Sequence, residues 1–164
     1  MKFLADAMLG KLARFLRIFG YDVVYANDLE DHFQISPVPD DKLLEYAKEN
    51  ERIILTKDLP FHKIARDISI FLEGEGTYYY LNQLKNEYNL EYNVIMENTR
   101  CSVCNSPLKC VKDKNLIKDY VKPETYKYFD EFYQCINPKC EKVYWKGTHI
   151  KDILKRLKNN LKIS

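Results

Sequence analysis

The chain is 164 residues long, with 46% hydrophobic and 30% charged residues and a formal net charge of +2. Enough apolar side chain is present to bury one ordinary core or two small ones, which excludes disorder, and no apolar run approaches the roughly 20 residues that cross a bilayer. No cationic and apolar leader precedes the first strand, so the expectation is a soluble cytoplasmic protein with no membrane role. Charge is unevenly spread: residues 1–98 hold 11 Lys+Arg against 17 Asp+Glu, a balance of −6, and residues 99–164 hold 15 against 7, a balance of +8. This predicts an acidic module over 1–98 that suits divalent cations, and a basic module over 99–164 that suits a polyanion.

Residues 3–5 read as the end of a short buried strand, with Asp6 at its carboxy end. Leu9, Leu12, Ala13, Leu16 and Phe19 recur at three- and four-residue steps on one helical face, and Lys11, Arg14 and Arg17 share another. Gly20 stops this helix by taking positive φ. Residues 22–26 read as a second strand, and the polar stretch from Asp28 to Pro39 as a loop. Pro39, Asp40 and Asp41 mark a helix start, with Leu43, Leu44 and Ala47 as its buried stripe. The β-branched run 52–56 is short enough to be an interior strand, and Asp58 lies just beyond it. A weak helix over 61–67, a strand over 77–81 and a helix over 83–88 complete the first module.

Strands alternating with helices imply an α/β fold, with a mostly parallel sheet covered by helices on both faces. Ligands of such sheets bind beyond the carboxy ends of the strands, where Asp6 and Asp58 fall and over which Asp40 leans. Asp6 alone reads equally well as a helix N-cap, and a lone Asp at a strand end usually is one. Three together repel unless cations lie between them, and Mg2+ or Mn2+ prefers such oxygen ligands. The five glycines form no phosphate-binding loop, and His32, His62 and His149 are isolated, which removes nucleotide hydrolysis, hydride transfer and histidine-based nucleophiles as leading functions.

The second module carries Cys101 and Cys104, two residues apart, and Cys135 and Cys140, four residues apart. Two thiolate pairs on short turns close a tetrahedral shell around a structural Zn2+ with no position left for catalysis. His149 is the alternative fourth ligand, and Cys110 reads as a small buried residue. Phe132, Tyr133, Val143, Tyr144 and Trp145 surround the knuckles as a small β-ribbon, either completing its core or stacking on unpaired bases. The chain closes with a helix from about residue 150. Ile150, Ile153, Leu154, Leu157 and Leu161 form its buried side, and Lys151, Lys155, Lys158 and Lys162 form a basic stripe that follows a phosphate backbone.

The strings DAMLGKLARFLRIFGYD, PDDKLLEYA, RIILTKD, YYYLNQL, RCSVCNSPL, FYQC and CEKVYWKGTH resemble, in order along almost the whole chain, the family named for the carboxy-terminal RNase module of mutator-type exonucleases. The resemblance implies a PIN-like ribonuclease domain with an appended zinc ribbon, and its acidic positions fall on Asp6, Asp40 and Asp58. Lys11 and Arg14 in the matching helix become candidates for holding phosphate. The resemblance leaves a fourth acid open among Asp22, Asp28, Asp41 and Asp67. The expected protein is a metal-dependent endoribonuclease with RNA as its substrate, and an inhibitory protein partner if its role is toxin-like. The alternative is a non-catalytic RNA- or ribosome-binding adaptor on the same scaffold.

Overall fold

Four strands of three or four residues, apolar through most of their length, lie at the centre of the chain in a computed structural model that describes residues 1–160. In chain order, β1 (Lys2–Ala5) is followed by a 3-10 turn and α1 (Gly10–Ile18), then β2 (Asp22–Tyr25), a 3-10 turn (Ala26–Leu29) and the single-turn α2 (Glu30–Phe33). Next come α3 (Asp40–Glu49), β3 (Ile53–Thr56), α4 (Leu59–Ile64), β4 (Ser69–Phe71) and α5 (Thr77–Tyr88). The remainder holds β5 (Leu108–Cys110), a 3-10 stretch (Lys114–Tyr120), α6 (Pro123–Tyr128), β6 (Tyr133–Cys135), β7 (Val143–Tyr144) and α7 (Thr148–Asn160).

All three pairings of the first sheet are parallel, in the order β2-β1-β3-β4. Alternation along the strands then divides the core. Phe3, Ala5, Val23, Leu55 and Ile70 join Leu12, Leu16 and Phe19 of α1, Leu81 and Leu84 of α5, and Ile153 and Leu157 of α7. Leu4 and Ile54 point the other way, onto Leu43 and Ala47 of α3 and Phe61 of α4. Each such fully buried Leu, Ile or Phe contributes about 1.5–3 kcal/mol. The expected parallel sheet with helices on both faces is therefore present.

The second sheet is antiparallel, in the order β5-β6-β7, and its Leu108, Tyr133 and Cys135 belong to the same buried cluster as Phe3 and Leu16. Apolar packing thus runs unbroken from the parallel sheet into the ribbon. Polar bonds fix the same junction. The Arg17 guanidinium donates to the carbonyls of Val23, Ser102 and Val103 at 2.8, 3.2 and 3.0 Å and pairs with Asp28 at 2.5 Å. Asp22 accepts from Asn105 at 2.7 Å and pairs with Arg52 at 2.8 Å and Arg100 at 3.2 Å. Gly20 sits at φ +92°, and a Cβ there would stand 2.9 Å from the Asn98 carbonyl oxygen, so both its conformation and its bareness are required.

Several local expectations are corrected. Residues 77–81 are helix and not strand: the β-forming Tyr and Thr side chains are overridden by a helical burial pattern, with Tyr80, Leu81 and Leu84 inward, between a positive-φ Gly76 and a left-handed Asn89. The strand in question is β4, three residues long and too short to announce itself. The segment from Asp28 to Pro39 is partly helical, through the 3-10 turn and α2. The helix placed at 61–67 starts two residues earlier, capped by Asp58, and ends in a 3-10 turn. Arg17 leaves the cationic face shared by Lys11 and Arg14, being only 2% exposed. Cys110 is exposed, because only Leu108 of β5 turns inward. Leu161 and Lys162 lie outside the described residues.

Candidate functional site

The strand order reverses between β1 and β3: the chain steps from β1 to β2 on one side, then crosses to β3 on the other. The carboxy ends of those two strands flank the crevice in which parallel α/β sheets bind ligands. Asp6 follows β1, and its N–H donates to the Leu55 carbonyl of β3 at 3.0 Å, which sets it directly on that crevice. Asp6 is 8% exposed and each of its carboxylate oxygens takes one hydrogen bond, Oδ1 accepting from the Ala7 N–H at 2.6 Å and Oδ2 from the Thr56 hydroxyl at 2.7 Å, which leaves lone pairs on both. Thr56, the last residue of β3, in turn accepts from the Asp58 N–H at 2.9 Å. One buried hydroxyl therefore holds both strand ends in register.

Asp58 caps α4, its Oδ1 accepting from the Phe61 N–H at 2.8 Å, and is otherwise exposed. Asp40 opens α3 and is likewise exposed. Its carboxyl is held above the ordinary carboxylate range, first by burial and then by the charges of Asp6, Asp58 and Asp41. The three acids thus share one electrostatic neighbourhood. They are looser than a closed metal cage: among the described residues, only the four cysteines bring their ligand atoms all within 4.8 Å of one another.

Of the remaining acids, Asp22 lies at the amino end of β2, on the opposite edge of the sheet. Burial would raise its pKa, but the hydrogen bonds from Arg52 and Asn105 and the charges of Arg52 and Arg100 bring it down to about 2. Asp28 is the partner of Arg17. Asp41 is the one that reaches the site electrostatically, through Asp40.

Lys11 and Arg14 are exposed on α1. Both line a groove of about 550 Å3 with Tyr25, Lys142 and His149. The Tyr25 hydroxyl donates to the Ala7 carbonyl at 2.7 Å, so this groove begins one residue from Asp6. Lys151, Lys155 and Lys158 of α7 are exposed. Lys142 and His149 carried no signal as groove residues, because nothing in their spacing relates them to α1.

The thiols of Cys101, Cys104, Cys135 and Cys140 converge, with 3.4 Å between Cys104 and Cys135 and 3.6 Å between Cys101 and Cys140. A tetrahedral zinc shell at about 2.3 Å places its sulfurs about 3.8 Å apart, so the donor set fits that ion. Burial raises the Cys135 and Cys140 thiols. Burial also opposes ionisation of Cys104, but hydrogen bonds with Ser106 and its fellow thiols bring it to about 6. The wider second gap is absorbed by a turn in which the Cys140 and Glu141 N–H groups both donate to the Asn137 carbonyl, at 2.9 and 3.0 Å, with Glu141 at φ +47°. The Tyr144 hydroxyl lies 3.1 Å from the Cys101 sulfur. His149 is exposed and outside this set.

Fold and site together define a parallel α/β protein with an acidic crevice at its strand switch and a four-cysteine ribbon compatible with zinc. Residues 1–157 match the Mut7-C RNAse domain, and the chain belongs to that family. Its membership indicates a ribonuclease-type function, with RNA as the substrate class. No curated protein matches the chain, and no solved structure does. No helix among the described residues is long and apolar enough to cross a membrane.

Proposed function

We propose that the protein is a divalent-metal-dependent endoribonuclease of PIN-like architecture, in which residues 1–98 cut RNA and residues 99–164 hold it. The observation that carries this reading is the placement of Asp6 and Asp58 on either side of the β1/β3 switch, joined through the Thr56 hydroxyl, with Asp40 near enough to feel both charges. Mg2+ or Mn2+ held by these hard oxygen donors would supply the positive charge that brings water to attack a phosphodiester.

The residues of the chain do the rest. Thr56 and the Ala7 N–H lock the Asp6 carboxylate in one orientation, and the α4 cap does the same for Asp58. Arg14 presents a planar fork suited to two phosphate oxygens, and Lys11 a point charge beside it, where negative charge develops on the scissile phosphate. The four-cysteine zinc site keeps the ribbon folded, and Lys151, Lys155 and Lys158 add to its basic surface, with Lys162 beyond the described residues.

The test is cleavage of single-stranded RNA in Mn2+ by the wild type and by Asp6→Asn, with thermal melting as the folding control. Cleavage is expected to fall at least about 100-fold in a variant that still melts cooperatively. Retained cleavage would remove Asp6 from the mechanism. A zinc-loaded wild type that binds RNA without Mg2+ or Mn2+ yet cuts none with either present would identify a non-catalytic RNA-binding adaptor instead.

A further inference from the structure

Beside the groove on α1 lies a second, smaller recess of about 300 Å3 between the end of α1, the ribbon and the start of α7. The two hollows share four residues, Ile18, Ser102, Lys142 and His149, so they form one continuous cleft. Their chemistry differs. The outer part carries Lys11, Arg14 and Lys142, none of which pairs with a carboxylate among the described residues, whereas Arg17, Arg52 and Arg100 nearby all do. The inner part is lined mainly by apolar and aromatic side chains, among them Met96, Val143, Trp145 and Ile150. Trp145 packs beside Phe129 and Phe132, with ring centroids 6.3 and 6.2 Å away.

We propose that this cleft is the seat of an unpaired nucleotide of the RNA substrate, its phosphates on Arg14, Lys11 and Lys142 and its base in the recess against Trp145 and His149. The inference rests on the ribonuclease reading and adds the path by which the strand reaches the carboxylates. A cationic groove opening onto an aromatic recess matches the two halves of a nucleotide, charge for phosphate and π-face for base. The cleft starts at Tyr25, whose hydroxyl binds the carbonyl next to Asp6, so a strand seated there delivers a neighbouring phosphodiester to the β1/β3 crevice. Duplex RNA cannot enter in this way, because its bases are stacked and paired. The ribbon then serves as one wall of the site as well as a separate handle.

The chain contains a single tryptophan, which makes the test direct. The full-length zinc-loaded protein is titrated without added Mg2+ or Mn2+ and without chelator, so that the zinc stays in place and the cutting metal is withheld, with a fluorescein-labelled 12-nucleotide single-stranded RNA of mixed sequence read by anisotropy, and with the unlabelled strand read by Trp145 emission. Both signals are expected to saturate together, with duplex RNA leaving the emission unchanged. Lys142→Ala and His149→Ala, both exposed positions, are each expected to weaken binding about tenfold and to reduce the quenching. RNA binding that leaves Trp145 emission unmoved, or that both variants retain in full, would overturn the proposal, as would an absence of binding. A protein that quenches as expected but never cuts with metal present would overturn the nuclease reading and not the assignment of the cleft.

Discussion

Arg17 shows how a single side chain can be misread by periodicity and yet hold the molecule together. Its spacing places it with Lys11 and Arg14, but at 2% exposure it satisfies three backbone carbonyls and Asp28, two of those carbonyls lying between Cys101 and Cys104. Arg17→Met would leave all of them without their partner. We expect a loss of about 3–5 kcal/mol, read from urea denaturation, with Arg17→Lys recovering only part of it because an ammonium cannot span the same fork. Asp40 is the opposite case, an exposed carboxyl whose neighbours disfavour its charge. Its folded pKa is raised, so its contribution to stability is largest when it is protonated and is lost as pH rises through that value. Asp40→Asn should therefore stabilise the zinc-loaded, Mn2+-free protein at neutral pH by a few tenths of a kcal/mol, seen as a higher melting temperature, and remove most of the stabilisation that Mn2+ gives the wild type. Melting of the zinc-loaded protein without and with added Mn2+ checks both halves, and an unchanged response to Mn2+ would take Asp40 out of the site.

At the scale of elements, what could be read from the sequence was whatever repeats or ends sharply. The apolar stripe of α1, its stop at Gly20, the β3 run, the Pro39–Asp40 start of α3 and the cysteine spacing all carry local signals strong enough to survive tertiary context. The carboxylates were legible for the same reason, since each follows a strand or opens a helix. β4 was not, because three residues hold no period, and α5 was misread because its tyrosines favour strands in isolation and are helical only through Tyr80, Leu81 and Leu84 facing the core. The link that Thr56 makes between Asp6 and Asp58 was invisible, arising from strand register and not from spacing. The ribbon, with short strands and few buried residues, should depend on its ion. Purified protein is expected to carry one zinc per chain by elemental analysis, and Cys104→Ser should lose it and melt the ribbon first, seen as early loss of Trp145 signal. Full retention of zinc would contradict the four-thiolate site.

At the scale of the molecule, the acidic and basic halves are joined by one apolar core, which contains Phe3 and Leu55 from one side of residue 98 and Leu108 and Tyr133 from the other. Asp22, Arg100 and Asn105 tie the amino end of the sheet to the ribbon, while the carboxy end is left open around Asp6, Asp40 and Asp58. Such an arrangement ties down one edge of the sheet and leaves the other open for the proposed chemistry. It also brings cations of the ribbon within reach of an acidic crevice that would otherwise repel RNA. The most direct test of this account is anomalous diffraction from crystals of the protein soaked in Mn2+. The account predicts one or two manganese peaks bounded by the carboxylates of Asp6, Asp40 and Asp58, lost in Asp6→Asn crystals. Manganese bound elsewhere, with nothing among those three side chains, would contradict it.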